Sequence, residues 1–255
     1  MTAFKVFALV GSPRVGNTHR LCQMIVEKLA KLVEVEASIK RVEDYNIQYC
    51  RGCSTCLVKG VECPIGDGFK GLKSDIAECD LFILASPVYV VNVSAQLKTV
   101  LDRACSWYHR PPFLGKPAIV AATTASHGLR QVFNVLRTAV VGWGMVCIGE
   151  VGAKFHGDRL VEEEKTARKI GEVAGQAARV LERKVKPSPS AIDLVIFESM
   201  KREAKKSLRW APHDYRYWEE HGLFEKPYYS DGVHISPFTR ALAKLLLAAT
   251  APMYR

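Results

Sequence analysis

The chain has 255 residues, 48% of them hydrophobic and 24% charged, which predicts a globular protein with a substantial core. It has no apolar run of membrane-spanning length and leads directly into an apolar strand, so we expect no membrane span, no secretory signal and a cytoplasmic location. The net charge of +10 is spread evenly, which argues against a nucleic-acid partner, although a basic surface attracts anionic nicotinamide cofactors.

A hydroxyl-rich loop separates the first predicted strand from the first predicted helix. The apolar run 4–10 predicts a buried parallel strand, and residues 20–29 carry apolar side chains at helical spacing. Backbone N–H groups of the intervening loop, 11–18, together with the positive end of the helix dipole, favour a phosphate. The alternative is an ordinary helix start in which Ser12 or Thr18 is the cap.

Two common phosphate loops are excluded by the residues at 11–18. The loop has no Lys-Ser or Lys-Thr at its end, as a nucleoside-triphosphate P-loop would. It also lacks the G-x-G-x-x-G spacing of a dinucleotide-binding fold. Because its one basic residue is Arg14, the loop suits a monophosphate such as that of FMN.

Strands and helices alternate along residues 1–186. Further strands are predicted at 33–39, 81–85, 118–122 and 145–151, and further helices at 69–79, 94–107, 129–141 and 160–184. This alternation predicts an α/β, flavodoxin-like three-layer sandwich with a five-stranded parallel sheet of order 2-1-3-4-5. The ligand site of such a sheet lies at the carboxyl ends of its strands, where the loops 11–18, 86–92 and 123–128 are expected to meet.

The two later loops are predicted to hold a flat ring. Pro87, Val88 and Tyr89 can lie along it, and the other side would be closed by Thr123, Thr124, His127 and Gly128. Taken alone, residues 86–89 also suit a strand-ending turn with Tyr89 packed on the core. His127 alone would be a surface or capping residue more often than a proton donor, so no catalytic residue is assigned.

Four of the eight cysteines form a compact motif. Cys50, Cys53, Cys56 and Cys63 have the spacing C-x2-C-x2-C-x6-C, and thiolates spaced so closely can hold a 4Fe-4S cluster. Structural zinc, a disulfide, and free or redox-active thiols are the alternatives. The remaining cysteines fall in predicted helices or strands and are expected to be buried: Cys22, Cys79, Cys105 and Cys147.

The order of these motifs resembles that of the NAD(P)H-dependent FMN reductases and, more narrowly, the iron-sulfur flavoproteins. The resemblance covers residues 4–150 and rests on the loop 11–18, the cysteine motif, residues 86–89 and residues 97–103. It implies FMN as the cofactor, NAD(P)H as a co-substrate, and a homodimer or homotetramer. The FMN-binding residues that it implies, together with the loop reasoning, are Ser12, Arg14, Gly16, Asn17, Thr18, Pro87, Val88, Tyr89, Val91, Thr123, Thr124, His127 and Gly128. Relatives tend to have paired aspartates where this chain has residues 64–69.

The remaining residues, 187–255, are predicted to form a C-terminal helical extension. Residues 187–190 interrupt the helical pattern, after which a basic helix is predicted at 192–210 and an apolar helical segment at 238–249. Trp210, Tyr217 and Trp218 are candidates for packing on the same domain or on a neighbouring subunit. Docking on a membrane surface is the alternative.

The sequence therefore predicts an FMN-dependent oxidoreductase. Such a protein would accept hydride from NAD(P)H and pass electrons to a small-molecule or protein acceptor, with a 4Fe-4S cluster as an intermediate carrier. The alternatives are an electron-transfer protein reduced by a partner such as ferredoxin, and a redox sensor that acts through the thiols of residues 50–63.

Overall fold

The computed structural model describes residues 3–250, which form six strands and ten α-helices. The strands are β1 (Phe4–Val10), β2 (Val35–Arg41), β3 (Leu81–Pro87), β4 (Pro117–Thr124), β5 (Val146–His156) and β6 (Arg159–Val161). They form one sheet of order β2-β1-β3-β4-β5-β6, in which the first five strands are parallel. The predicted flavodoxin-like order 2-1-3-4-5 is thereby confirmed for those five strands.

The prediction of a five-stranded sheet is wrong because a short sixth strand follows β5. Strand β6 pairs antiparallel with the end of β5 across a two-residue turn, Gly157-Asp158. Gly157 has a φ of 60°, a conformation that tight hairpin turns require and glycine adopts without strain. Three residues are too few to produce an alternating pattern, so β6 has no periodic signal in the sequence.

The helices are α1 (Asn17–Ala30), α2 (Thr55–Val58), α3 (Phe69–Glu78), α4 (Ala95–Arg103), α5 (Cys105–His109), α6 (Leu129–Gly142), α7 (Glu163–Leu181), α8 (Ala191–Lys206), α9 (Pro212–Glu220) and α10 (Pro237–Thr250). The short helices α2 and α9 were not predicted from the sequence, whereas the others lie close to predicted positions. The helix expected at 94–107 is interrupted at Ala104 and forms α4 and α5. No helix within residues 3–250 combines the length and apolar character needed to cross a membrane.

The connections place helices on both faces of the sheet. Right-handed crossovers put α1 on one face, where it packs against α7, and put α3 to α6 on the other. Strand β1 therefore leads to a helix on one face, whereas its neighbour β3 leads to a helix on the opposite face. The carboxyl ends of β1 and β3 form the topological switch point, which is where such sheets bind ligands.

The C-terminal extension packs on the same domain. Helix α8 lies against α6, and α9 and α10 lie against α8. Arg137 of α6 forms a buried ion pair of 2.8 Å with Asp193 of α8. Trp218 is fully buried against Phe197 and donates a hydrogen bond of 2.8 Å from its indole N–H to the His109 carbonyl. The extension therefore shares a core with the sheet domain.

This shared core predicts that Trp218→Ala destabilises the whole domain. Loss of a buried tryptophan costs about 3–5 kcal/mol, because a cavity remains and the His109 carbonyl loses its donor. Trp210→Ala is the matched control, since that side chain is 58% exposed, and it should change stability by about 0.5 kcal/mol or less. Urea unfolding with a single transition would measure both values. Equal, small effects would show that the extension does not stabilise the domain.

Candidate functional site

A close approach at Gly11 holds the ends of β1 and β3 and the start of α4 together. The Gly11 N–H donates to the Ala85 carbonyl at 2.7 Å, and the Ser94 hydroxyl donates to the Gly11 carbonyl at 2.5 Å. A Cβ atom at residue 11 would lie 2.8 Å from the Leu97 Cβ, a distance that side chains do not tolerate. Glycine is therefore required where the phosphate loop begins.

The start of α1 lacks the cap that the alternative interpretation requires. The Ser12 hydroxyl donates to the Arg14 carbonyl at 2.8 Å, and the Thr18 hydroxyl pairs with the Thr123 hydroxyl at 2.6 Å. Gly16 is the N-cap residue, and among the described residues no side chain caps the helix and no acid lies in its first turn. The first N–H groups of α1 thus keep their positive potential at the switch point.

The predicted phosphate loop also contacts the hairpin that the sequence did not reveal. The Asn17 amide donates to the Gly157 carbonyl at 2.8 Å, and Arg20 donates to the Asp158 carbonyl at 3.0 Å. These bonds fix the Asn17 side chain toward the β5–β6 turn, whereas Arg14 is exposed. Among the side chains predicted to contact a phosphate, Arg14 is the positively charged one, and its exposed guanidinium is accessible to a ligand.

The loop after β3 is strained and apolar. Tyr89 and Asn92 exchange backbone hydrogen bonds of 2.8 and 3.0 Å across a tight turn. Val90 and Val91 within this turn have φ values of 49° and 61°, which are rare for β-branched residues. Val90 is 98% exposed and Tyr89 43% exposed, so Tyr89 does not pack on the core as the alternative interpretation expected. Strain combined with exposed apolar groups is typical of ligand-binding loops.

The loop after β4 is folded by its own side chains and meets the loop after β3. The Thr124 hydroxyl donates to the His127 carbonyl at 2.7 Å, while the exposed His127 ring lies 3.1 Å from the Ser126 hydroxyl. Gly128 has a φ of 95°, and a Cβ atom there would lie 2.7 Å from Val88. Glycine at 128 therefore allows the two loops to touch.

The structure thus gathers all thirteen predicted FMN-binding residues on three adjoining loops. The Thr18–Thr123 hydrogen bond joins the first loop to the third, and the Val88 N–H donates to the Thr123 carbonyl at 2.8 Å, which joins the second to the third. An uncapped helix end beside an exposed arginine suits a phosphate, and the apolar turn suits a flat ring. The residues at this edge fit FMN.

The four motif cysteines do not converge in the same way. Cys50 and Cys53 are exposed, Cys56 lies on α2, and no group of three or more Cys, His, Asp or Glu side chains within residues 3–250 is arranged to hold a metal. As folded here, the motif does not fit a 4Fe-4S cluster. Hydrogen bonds with Thr55 lower the pKa of the exposed Cys53 thiol, whereas burial raises that of Cys56, as do the nearby thiols of Cys105 and Cys63.

A buried arginine fixes the segment that carries the cysteines. Arg103 at the end of α4 donates to Asp67 at 2.5 and 3.0 Å and to the Gln48 carbonyl at 2.8 Å, and its guanidinium also contacts Cys63. Burial acts to lower the pKa of Arg103, but Asp67 and Cys63 raise it above its ordinary value. The single aspartate at 67 thus anchors both ends of the cysteine loop to the sheet domain.

The C-terminal extension closes over the other side of the cysteine loop. Asp214 of α9 bonds His109 at 2.9 Å and pairs with Arg110, which donates to the Cys56 carbonyl at 2.6 Å. His213 contacts the Leu57 carbonyl. Burial acts to raise the pKa of Asp214, but His109 and Arg110 hold it below its ordinary value. The extension and the cysteine loop therefore form one structural unit.

The expectation that all four remaining cysteines are buried is wrong for Cys105. Cys22, Cys79 and Cys147 are buried in the core, and burial raises the pKa of Cys22 and Cys147 to about 12. Cys105 is partly exposed because α5 begins after a break at Ala104, which turns its first residue toward the cysteine loop. The sequence showed one continuous helical pattern and so concealed that break.

Comparison with known proteins shows the family of the chain and confirms its fold. Residues 4–158 match the family model described as NADPH-dependent FMN reductase. An iron-sulfur flavoprotein of Archaeoglobus fulgidus is 32% identical over 223 residues, covering 86% of this chain and 99% of its own length. An oxidoreductase structure from Corynebacterium diphtheriae is 18% identical with a TM-score of 0.51, covering 71% of this chain and 99% of that chain. RosB, solved with bound 8-demethyl-8-formylriboflavin-5'-phosphate, is 15% identical with a TM-score of 0.52, and the match covers 71% of this chain and 80% of the RosB chain.

The network around Asp214 predicts a defined response to acid. Because the folded-state pKa of Asp214 is depressed, its stabilising contribution is present at neutral pH and is lost as pH falls below about 4 toward the folded-state value. Asp214→Asn leaves Arg110 without its buried partner and should cost about 3–5 kcal/mol at pH 7. Unfolding curves between neutral and acid pH should show a shallower loss of stability in the variant.

Asp231→Asn is the matched control, because the Asp231 side chain is 74% exposed and its carboxylate lies 3.7 Å from the Lys226 ammonium, too far for a direct hydrogen bond. It should change stability by about 0.5 kcal/mol or less at every pH. A wild-type and an Asp214→Asn protein with the same acid profile would contradict the assigned role of this carboxylate.

Proposed function

The chain belongs to the NADPH-dependent FMN reductase family and groups there with the iron-sulfur flavoproteins, and from this we propose that NAD(P)H is its electron donor. It is an FMN-dependent oxidoreductase. FMN bound at this edge would supply the redox chemistry, and the three loops would bind and orient it. The observation that supports FMN binding at the sheet's switch point is the uncapped α1 terminus beside Arg14.

The first loop is proposed to hold the FMN phosphate mainly through its backbone. Ser12 and Asn17 are engaged by protein groups, so they shape the loop and orient the N–H groups that precede and begin α1. Arg14, which is exposed, supplies the positive side chain. The Thr18–Thr123 pair holds this loop beside the third one, and Gly16 leaves the helix end uncapped.

The second and third loops are proposed to hold the flavin ring. The turn formed by Pro87, Val88, Tyr89 and Val91 offers apolar surface, and the backbone hydrogen bonds between Tyr89 and Asn92 hold it in its strained conformation. The other side of the proposed ring site is formed by the end of β4 and the loop after it, through Thr123, Thr124, His127 and Gly128. Hydride transfer between stacked rings does not itself require an acid–base side chain, so no catalytic residue is proposed.

The cysteine loop is the proposed second redox element, because the relative in Archaeoglobus fulgidus is named an iron-sulfur flavoprotein. Since the four thiols do not converge as folded here, we derive no electron-transfer step through a cluster. Iron and acid-labile sulfide analysis of anaerobically purified protein tests whether the loop is a redox element: about four of each per chain would show that it closes around a 4Fe-4S cluster.

The C-terminal extension is proposed to cover the cysteine loop. A homodimer or homotetramer stays a prediction.

The same relative's name supports a second candidate function, that of an electron-transfer protein reduced by a partner such as ferredoxin. Anaerobic mixing with NADH, NADPH or reduced ferredoxin distinguishes the two functions. Rapid loss of visible flavin absorbance with a reduced nicotinamide is the expected result. Reduction by ferredoxin alone would contradict NAD(P)H as the donor.

The phosphate assignment predicts that Arg14→Ala weakens FMN binding selectively. Loss of one charge-assisted hydrogen bond costs about 1.5–3 kcal/mol, which corresponds to a Kd about 10- to 150-fold higher. Riboflavin lacks the phosphate, so its Kd should not change. Quenching of flavin fluorescence on titration into flavin-free protein would measure both. Arg202→Ala, an exposed arginine on α8, is the control and should leave both constants unchanged.

Equal weakening of FMN and riboflavin in Arg14→Ala would show that the first loop binds the ring or has misfolded. Unchanged binding of both flavins would move the phosphate site away from Arg14.

A further inference from the structure

A small cavity lies between α5 and the C-terminal extension. Its volume is about 280 Å³, and its walls include Tyr108 of α5, Met200 of α8 and Trp210, which precedes α9. Trp210 is 58% exposed, so it forms part of the rim. A cavity of about 150 Å³ is enough for benzene, so this one has room for a single substituted aromatic ring. Its lining residues all lie outside the three loops proposed to hold FMN.

His109 lines this cavity in a fixed orientation. Its Nδ1 atom lies 2.9 Å from Asp214 of α9, whose side chain is 1% exposed. Its carbonyl accepts the Trp218 indole N–H at 2.8 Å, and its ring meets the Trp210 ring edge-on at 6.4 Å between centroids. Within residues 3–250, no backbone or side-chain group bonds the Nε2 atom. The ring is therefore held through one nitrogen and leaves the other for a ligand.

Asp214 decides which imidazole nitrogen carries the proton. Burial acts to raise the pKa of Asp214, but His109 and Arg110 hold it below its ordinary value. The group is therefore an ionised carboxylate at neutral pH and only accepts hydrogen bonds. The Nδ1 atom of His109 must then carry a proton, and in the neutral imidazole the Nε2 atom is an acceptor. A ligand at Nε2 has to bring a hydrogen-bond donor.

The charges at the cavity wall disfavour an anionic ligand. Glu203 and Asp214 are carboxylates, and the described residues that line the cavity include no lysine or arginine. An anion would therefore be desolvated without a lysine or arginine to pair with at the wall. The aromatic and apolar side chains suit an uncharged ring instead.

We propose that this cavity binds small hydroxyaromatic compounds, with a single phenol-type ring against Tyr108 and Trp210 and its hydroxyl donating to Nε2 of His109. Asp214 is a positioning residue here, because it fixes both the orientation and the tautomer of the imidazole. Binding involves no electron transfer, so the assignment does not depend on the electron donor or on a metal cluster.

Fluorine NMR titrations of the full chain saturated with FMN test this site, with para-fluorophenol and para-difluorobenzene as the probes. The two probes have similar rings, but only the phenol can donate a hydrogen bond. One neutral hydrogen bond predicts a Kd about 2- to 10-fold lower for the phenol. His109→Phe keeps an aromatic ring and removes the acceptor, so it should bind both probes with equal Kd.

Trp210→Ala removes one wall of the cavity and should raise the Kd of both probes about 2- to 10-fold. Phe238→Ala, which removes a 76% exposed ring on α10, is the matched control and should change neither Kd. Circular dichroism shows whether each variant is folded.

Equal Kd values for the two probes in the wild type would overturn the proposal, as would a preference for the phenol that persists in folded His109→Phe. Phenol binding that Trp210→Ala leaves unchanged would also overturn it, and that result requires no substitution at His109.

Discussion

The close approach at Gly11 is the constraint on which the flavin edge depends. With no room for a side chain, β1 ends in direct contact with the end of β3 and the start of α4, through bonds to Ala85 and Ser94. The chain must then turn to the opposite face to begin α1, so the first N–H groups of that helix open onto the switch point. In the proposed function, phosphate recognition depends on this backbone path more than on any single side chain.

A second centre organises the cysteine segment and depends on buried charge. Arg103 holds the segment from inside through Asp67, and Arg110 joins it to Asp214 of the extension. Each arginine also bonds a backbone carbonyl of the segment, so the ion pairs stabilise a loop that has little regular structure. Such buried pairs cost stability when one partner is removed, and they give the C-terminal extension a structural role beside the thiols.

The sequence was sufficient for the central sheet, because fully apolar runs such as 81–85 are typical of buried parallel strands. It also placed the three loops proposed to hold FMN at one edge, since carboxyl ends of parallel strands meet there. It could not reveal β6, whose three residues carry no periodic signal, or the contact of Asn17 with Gly157. Cys105 was missed for a related reason: a helix break at Ala104 depends on tertiary packing, which a local pattern does not record.

The most direct test of the account is a crystal structure of the protein with FMN bound. We expect phosphate oxygens within hydrogen-bond distance of backbone N–H groups in the loop that begins at Ser12 and of the Arg14 guanidinium, with the ring against the 87–91 turn. A phosphate bound elsewhere, with the α1 terminus still facing solvent, would contradict it.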